Sequence, residues 1–407
     1  GSVIGKSGLE VLYEDRLRGE TGYQVQIVSE DGQEKEIIAS KPKTDGEDIT
    51  VTIDAALQKK VYEEYASDKS CSVVMNPKNG EILAMTNEPE FNLNAPYLLP
   101  ENAETDAIQD ALNQMWRNGC LNDTYEPGST FKIITSTAAL ESHAVSQNDR
   151  FYCPGYKIVD DRRIRCHKIS GHGSESFVEG LMNSCNPVFI ETGLRTGVQV
   201  MYQYFDRLGL MEKSGINLPG EESSNMHQID NVGDVELATI SFGQSFQITP
   251  IQMLRAVSAV INGGKLITPH FGVRIVDAKG NMIRLHYNEE AHVIGSEVSD
   301  TMKALLEKVI SEGTGKKCFI EGYRIGGKTA TSQKLPRGSG KYIASFIGFA
   351  PAHNPEIIGI VLIDEPTGAY YGGTVAAPVM REIFENVLPY YLGQWPDIES
   401  DSGDGNE

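Results

Sequence analysis

The stretch "NDTYEPGSTFKIITSTAAL", residues 122–140, sets a Pro127-Gly128 turn against an apolar run that carries a single lysine. The apolar pattern predicts a helix over 129–142, and Lys132 follows Ser129 by three residues, so both side chains lie on one face. Three effects lower the pKa of an ammonium held there: burial, the partial positive charge of a helix N-terminus, and a second cation nearby. A neutral lysine accepts a hydroxyl proton, which makes Ser129 a nucleophile without any histidine. A second Ser-x-x-Lys match, residues 40–43, contains Pro42 and is excluded from a regular helix.

The 407-residue chain suffices for one large domain or two medium ones with a sizeable core. Its 36 basic and 56 acidic residues give a net charge of −20, which argues against general nucleic-acid binding. No run of about 18 apolar residues in this sequence is expected to span a membrane, and none of it is expected to act as a signal peptide. Gly1-Ser2, without Met, reads as a cloning remnant, so an N-terminal anchor is expected in the natural protein.

The order of elements points to one α/β domain whose sheet joins distant segments. Residues 3–48 carry short alternating pieces, "YQVQIV" and "KEIIAS", expected as strands of a small remnant. Asp54 is placed to cap a helix, and "SCSVVMNPKNGEILAMTN" predicts a hairpin turning at Asn79-Gly80. Residues 92–128 are rich in loop signals. Helices are expected behind "NSCNP", from Thr249 to Gly263-Gly264, over residues 299–313, and over "AAPVMREIFENVLPYYL". Strands are expected in "KTATSQ", "YIASFIGFAPA" and "EIIGIVLIDEP". The acidic tail from residue 396 is expected to be disordered.

Two further motifs support the serine–lysine pair. Ser-x-x-Lys occurs with Ser-x-Asn and Lys-Thr-Gly in serine acyl-transfer enzymes. Ser184-Cys185-Asn186 fits the second form and lies 52 residues past Lys132, with Pro187 fixing the turn. Residues 146–148 and 223–225 also match, without that context. Lys328-Thr329-Ala330-Thr331 follows Gly326-Gly327 and opens a strand. Its lysine can supply the second cation, and Thr329 and Thr331 share one strand face where their hydroxyls can hold a carboxylate.

On these residues the chain resembles the transpeptidase domain of class B penicillin-binding proteins over most of residues 48–394. The blocks "YEPGSTFK", "NSCNPVFIETG", "SFGQSFQITPIQM", "INGGKLITP", "YIASFIGFAPAHNPEIIGIVLID" and "YYGGTVAAPVMREI" carry the likeness. "SGLEVLYEDRLRGETG" (7–22) resembles part of the family's N-terminal pedestal, with its middle missing. The resemblance implies a central antiparallel sheet flanked by helices plus an all-helical subdomain, residues 1–48 being a pedestal remnant, 49–395 the transpeptidase domain and 396–407 a tail. It implies that Ser129 attacks the penultimate D-Ala carbonyl of a peptidoglycan stem peptide, with Lys132 as base. Ser184 relays a proton to the leaving D-alanine, and Asn186 positions Lys132 and the substrate amide. Lys328, Thr329 and Thr331 hold the terminal carboxylate, and the N–H groups of Ser129 and Thr331 form the oxyanion hole. β-Lactams are expected to acylate Ser129. A membrane anchor outside this sequence, an extracytoplasmic catalytic domain and a glycosyltransferase partner are further implications, and no catalytic cofactor is expected. A serine β-lactamase and a non-catalytic β-lactam sensor are the rival readings. Ala330 stands where the family usually has glycine, and its methyl is expected to narrow the site for bulky β-lactams.

Cys153, Cys166 and His172 fall within 20 residues of one another. Thiolates and imidazole are zinc ligands, and His167, Asp160 or Asp161 is the candidate fourth ligand of a closed structural site. A Cys153–Cys166 disulfide and a pair of unrelated thiols are the alternatives. Cys185 and Cys120 read as ordinary small residues.

Overall fold

The computed structural model describes residues 4–30, 32, 35–63, 69–99 and 108–392. The expected acidic tail therefore lies outside the described residues. Two compact units emerge. One comprises the described residues within 1–52, 216–221 and 270–287, and the other those within 53–215, 222–269 and 288–407. The first joins segments far apart in sequence through a three-stranded sheet in which Gly272–Val276 lies between Met282–Arg284 and Asp48–Val51. It also holds the hairpin Tyr23–Val28 with Lys35–Lys41, where both expected strands form.

The second unit is built on a five-stranded antiparallel sheet. Its strands in chain order are β1 (Ser70–Met75), β2 (Ile82–Glu88), β3 (Gly326–Gln333), β4 (Tyr342–Ala350) and β5 (Ile357–Asp364). Their spatial order is β3-β4-β5-β1-β2, so the ends of the domain's sequence meet where β5 pairs with β1. The β1–β2 hairpin forms as expected, with Gly80 in the left-handed region at φ 87°. Strands β1, β4 and β5 are buried along almost their whole length, because helices cover the sheet.

The closing helix Gly372–Leu392 packs on β4 and β5, placing Met380, Ile383 and Phe384 in a core with Phe346 and Val361. Close packing there requires Gly348 and Gly359, paired in register. A Cβ on Gly359 would stand 2.9 Å from the Met380 side chain. Helix Ala55–Glu63 starts where Asp54 Oδ1 accepts from the Ala56 and Leu57 N–H groups at 3.0 and 3.1 Å. Helix Pro250–Ile261 opens with a Thr249–Gln252 capping box.

A second group of helices, Lys132–Glu141, Asn186–Thr196, Val198–Arg207 and Asp234–Ile240, packs together beside Ser296–Ser311. The last of these starts at Ser296, a turn before the expected 299. Helix Ile108–Met115 lies in the segment expected to be loop; its short amphipathic pattern, with buried Leu112 and Met115, sits among turn residues that mask it. No helix among the described residues is long and apolar enough to cross a membrane.

Candidate active site

Ser129 does not open an α-helix. It lies in a 3₁₀ turn, Gly128–Phe131, and the α-helix begins at Lys132. Ser129 and Lys132 thus stand three residues apart across the junction of that turn and the helix. Gly128 must be glycine: its φ is 55°, and a Cβ would meet Ser332 Oγ at 2.4 Å.

The Lys132 side chain is wholly buried. Its Nζ donates to the Ser184 carbonyl at 2.7 Å, to Ser184 Oγ at 3.2 Å and to Asn186 Oδ1 at 2.9 Å, and stands 5.2 Å from the centre of the Phe189 ring. Desolvation lowers its pKa to about 8 against smaller opposing effects from Cys185, Cys166 and Glu175. Lys328, also wholly buried, donates to Ser184 Oγ at 2.9 Å. Burial, and then repulsion from Lys132, holds its pKa well below the usual lysine range. Neither amine has a salt-bridge partner among the described residues.

Ser184 is where the two amines meet. Its backbone is left-handed, φ 56°, an uncommon state for a non-glycine residue. Hydrogen bonds from Ser184 N to Leu181 O and Cys185 N to Gly180 O hold it there. Asn186 then starts the next helix, with Pro187 at its first turn.

A cleft of about 610 Å³ brings Ser129, Ser184, Asn186, Thr329, Ala330 and Thr331 together. Because β3 is the edge strand, its backbone groups not used by β4 are turned outward from the sheet. Thr331 Oγ1 accepts from Gly372 N at 3.0 Å, and Thr329 Oγ1 donates to Thr314 Oγ1 at 3.4 Å. Ala330 is 3% exposed, and its methyl faces the Gly128 turn. Sequence reasoning missed the rest of the lining. Tyr342 and Tyr370 stack at 4.2 Å between ring centres, and Lys316 and Lys317 add two cations. Among the described residues, no Asp or Glu lines the cleft.

Beside Ser184 the sulfur and imidazole ligands converge, with a correction. Cys153, Cys166, His172 and Cys185 place their ligand atoms within 4.8 Å of one another. The fourth member is Cys185, not His167, Asp160 or Asp161. Hairpin Tyr156–Val159 with Arg162–Arg165 explains this: Cys153 and Cys166 flank its base, while Asp160 and Asp161 form its exposed tip, roughly four strand residues or 13 Å away. The Cys153–Gly173 pairing brings His172 alongside. His167, exposed, lines the cleft instead. All six cysteines are free, so Cys153 and Cys166 form no disulfide. Glu175, 3% exposed, lies 3.8 Å from His172 Nδ1 and accepts from Asn183 Nδ2 at 2.6 Å. Hydrogen bonding from Cys185 draws the Cys166 thiol well below its usual range.

Comparison with known proteins places these features. Residues 70–385 match the family model described as the penicillin binding protein transpeptidase domain, and residues 1–51 the penicillin-binding protein dimerisation domain. Stage V sporulation protein D of Bacillus subtilis is 40% identical over 401 residues, covering 95% of this chain and 60% of that protein. A probable peptidoglycan D,D-transpeptidase, PenA, of Neisseria meningitidis is 32% identical, covering 94% of this chain and 64% of that protein. The chain thus spans less than two thirds of the length of these relatives. The structure of penicillin binding protein 3 from Mycobacterium tuberculosis complexed with aztreonam shares the fold, with a TM-score of 0.80 at 23% identity over 96% of this chain and 87% of that one.

Proposed function

The chain belongs to the penicillin-binding protein transpeptidase family, and from that membership we propose that it is a serine D,D-transpeptidase that cross-links peptidoglycan stem peptides and is acylated by β-lactams. The observation that carries this reading is the position of Ser184 Oγ, 3.2 Å from Lys132 Nζ and 2.9 Å from Lys328 Nζ, on the cleft that Ser129 lines.

The steps follow from those groups. Neutral Lys132 takes the Ser129 hydroxyl proton as Oγ bonds to the penultimate D-Ala carbonyl carbon, and the oxyanion receives the N–H groups of Ser129 and Thr331. Collapse breaks the peptide C–N bond. Ser184 passes a proton from the lysine side to the departing D-alanine amine, leaving an ester on Ser129. An amine of a second stem peptide then attacks that ester, its proton returns through the same groups, and Ser129 is freed. Thr329, Thr331 and Lys328 hold the terminal carboxylate. A cleft with no carboxylate among its described lining residues, in a chain of net charge −20, suits an anionic substrate. Residues 1–48 are read as part of an N-terminal pedestal. The catalytic domain is assigned to the outer side of the cell membrane, with a glycosyltransferase partner.

The Cys153, Cys166, Cys185 and His172 set suits a structural zinc ion. Sulfurs on one tetrahedral zinc sit about 3.8 Å apart, so ligand atoms within 4.8 Å need only a small closure. The ion would tie the hairpin base to the Ser184–Asn186 segment.

Fluorescent penicillin labelling tests the acyl-enzyme. The expected result is a stable adduct mapped to Ser129 and abolished by Ser129→Ala, with D-alanine released from a D-Ala-D-Ala donor when an acceptor amine is supplied. Fast hydrolysis of the adduct would instead indicate a β-lactamase, and an adduct without D-alanine release a sensor.

A further inference from the structure

Glu126 lies three residues before Ser129 and is only 7% exposed. Buried carboxylates persist when paired and hydrogen-bonded. Here Arg337 Nη2 reaches both oxygens, at 2.6 and 2.5 Å, and Ser245 N–H donates to Oε1 at 2.9 Å. Arg337 belongs to the exposed loop Lys334–Lys341 that joins β3 to β4, between Pro336 and a left-handed Gly338. The base of this loop is fixed. Lys334 Nζ binds Asp364 and Glu365 at 2.7 and 2.8 Å, Lys341 Nζ binds Glu365 at 2.9 Å, and Lys334 N donates to Lys341 O.

The nucleophile's turn is held from the other side by backbone. Tyr125 and Ile248 exchange two hydrogen bonds, and Gly128 N donates to Gly243 O at 2.8 Å. Between those anchors the one side chain that reaches across to the β3–β4 loop is Glu126. Neither Glu126 nor Arg337 lines the cleft.

We propose that Arg337 is a positioning residue for Ser129, acting through Glu126. The loop-tip guanidinium holds the buried carboxylate and so fixes the height of the Pro127-Gly128 turn that presents the hydroxyl. The pair ties the strand bearing Lys328 to the turn bearing Ser129 across 211 residues of sequence. One guanidinium nitrogen shared between both carboxylate oxygens makes a charge-assisted contact that a neutral amide cannot match. This proposal rests on the reading of Ser129 as the nucleophile.

The test measures, on the whole chain with fluorescent penicillin, the acylation rate constant k2 separately from the Kd of the non-covalent complex, beside the melting temperature. Arg337→Gln is expected to lower k2 about tenfold through misplacement of the nucleophile, with Kd within about twofold of wild type. Arg337→Lys, which keeps the charge, is expected to recover part of k2. If Arg337→Gln does not fold, the double variant Glu126→Gln/Arg337→Gln, which buries no charge, decides: reduced k2 with unchanged Kd supports the proposal, and wild-type k2 overturns it. Wild-type k2 in a folded Arg337→Gln, or equal loss of k2 and of binding without recovery in Arg337→Lys, also overturns it. Wild-type protein that takes no label on Ser129 overturns the acyl-enzyme reading and this proposal together; a labelled wild type with an unaffected Arg337→Gln overturns this proposal alone.

Discussion

Lys328 Nζ stands 2.9 Å from Ser184 Oγ, and Lys132 Nζ approaches the same oxygen at 3.2 Å, so one hydroxyl joins two fully buried amines. With no carboxylate paired to either, the cheapest arrangement leaves an amine uncharged at neutral pH. On the proposed mechanism Lys132, its pKa lowered to about 8, supplies the base through its neutral fraction, and Ser184 is the bridge through which a proton passes.

Acylation should therefore follow the titration of Lys132. Its pKa is lowered, to about 8, so the reactive neutral form grows as pH rises and is lost as pH falls. The rate of penicillin labelling should climb roughly tenfold per pH unit below about 8 and level off above it. Labelling measured from about pH 6 to pH 9 checks this, and a flat profile across that window contradicts the assignment.

Ser184→Ala removes the oxygen shared by both amines and leaves each with fewer partners. Acylation should fall about 100-fold or more, the scale of a lost proton-transfer group. Stability should change little, because the Ser184 carbonyl still accepts from Lys132 at 2.7 Å. A labelling rate within a few-fold of wild type would remove Ser184 from the mechanism.

The candidate residues Ser129, Lys132, Ser184 and Lys328 were legible because each motif is local. Ser129 and Lys132 need one turn of helix, and the Lys328 strand needs only an edge. Cys185 was not, because it sits between Ser184 and Asn186 and was read as filler. Its role depends on a hairpin that closes Cys153 on Cys166, and on a strand pairing that carries His172 to them. The Glu126–Arg337 contact and the joining of residues 270–287 to the N-terminal unit lie beyond any local pattern for the same reason: partners hundreds of residues apart leave no periodicity to read.

Ala330→Gly removes a methyl that is 3% exposed and packed toward the Gly128 turn, at the edge of the cleft. Bulky β-lactams should acylate faster in the variant and small ones little changed. Glycine within a strand should cost about 0.5–1 kcal/mol of stability. Acylation rates across a size series check this, and uniform rates across that series show that the methyl does not govern access.

Zinc removal should affect both stability and acylation, because Cys185 is covalently flanked by Ser184 and Asn186. A zinc ion on this set would hold Cys185 Sγ against Cys153, Cys166 and His172 and so reinforce the left-handed turn that backbone hydrogen bonds give Ser184. Its removal would leave three buried thiols and an imidazole without a common partner, and the segment would be freer to relax away from Lys132. Protein purified without added metal should contain about one zinc per chain, as a closed four-ligand site implies. Cys153→Ser, which lies far in sequence from the motif, should lose that zinc, lower the melting temperature and slow penicillin labelling. Chelation of the wild-type protein should reproduce all three effects, and zinc should reverse them. A Cys153→Ser protein that retains one zinc, or a zinc-free wild type that labels at the normal rate, would show that these thiols hold no ion or that the ion does not support Ser184.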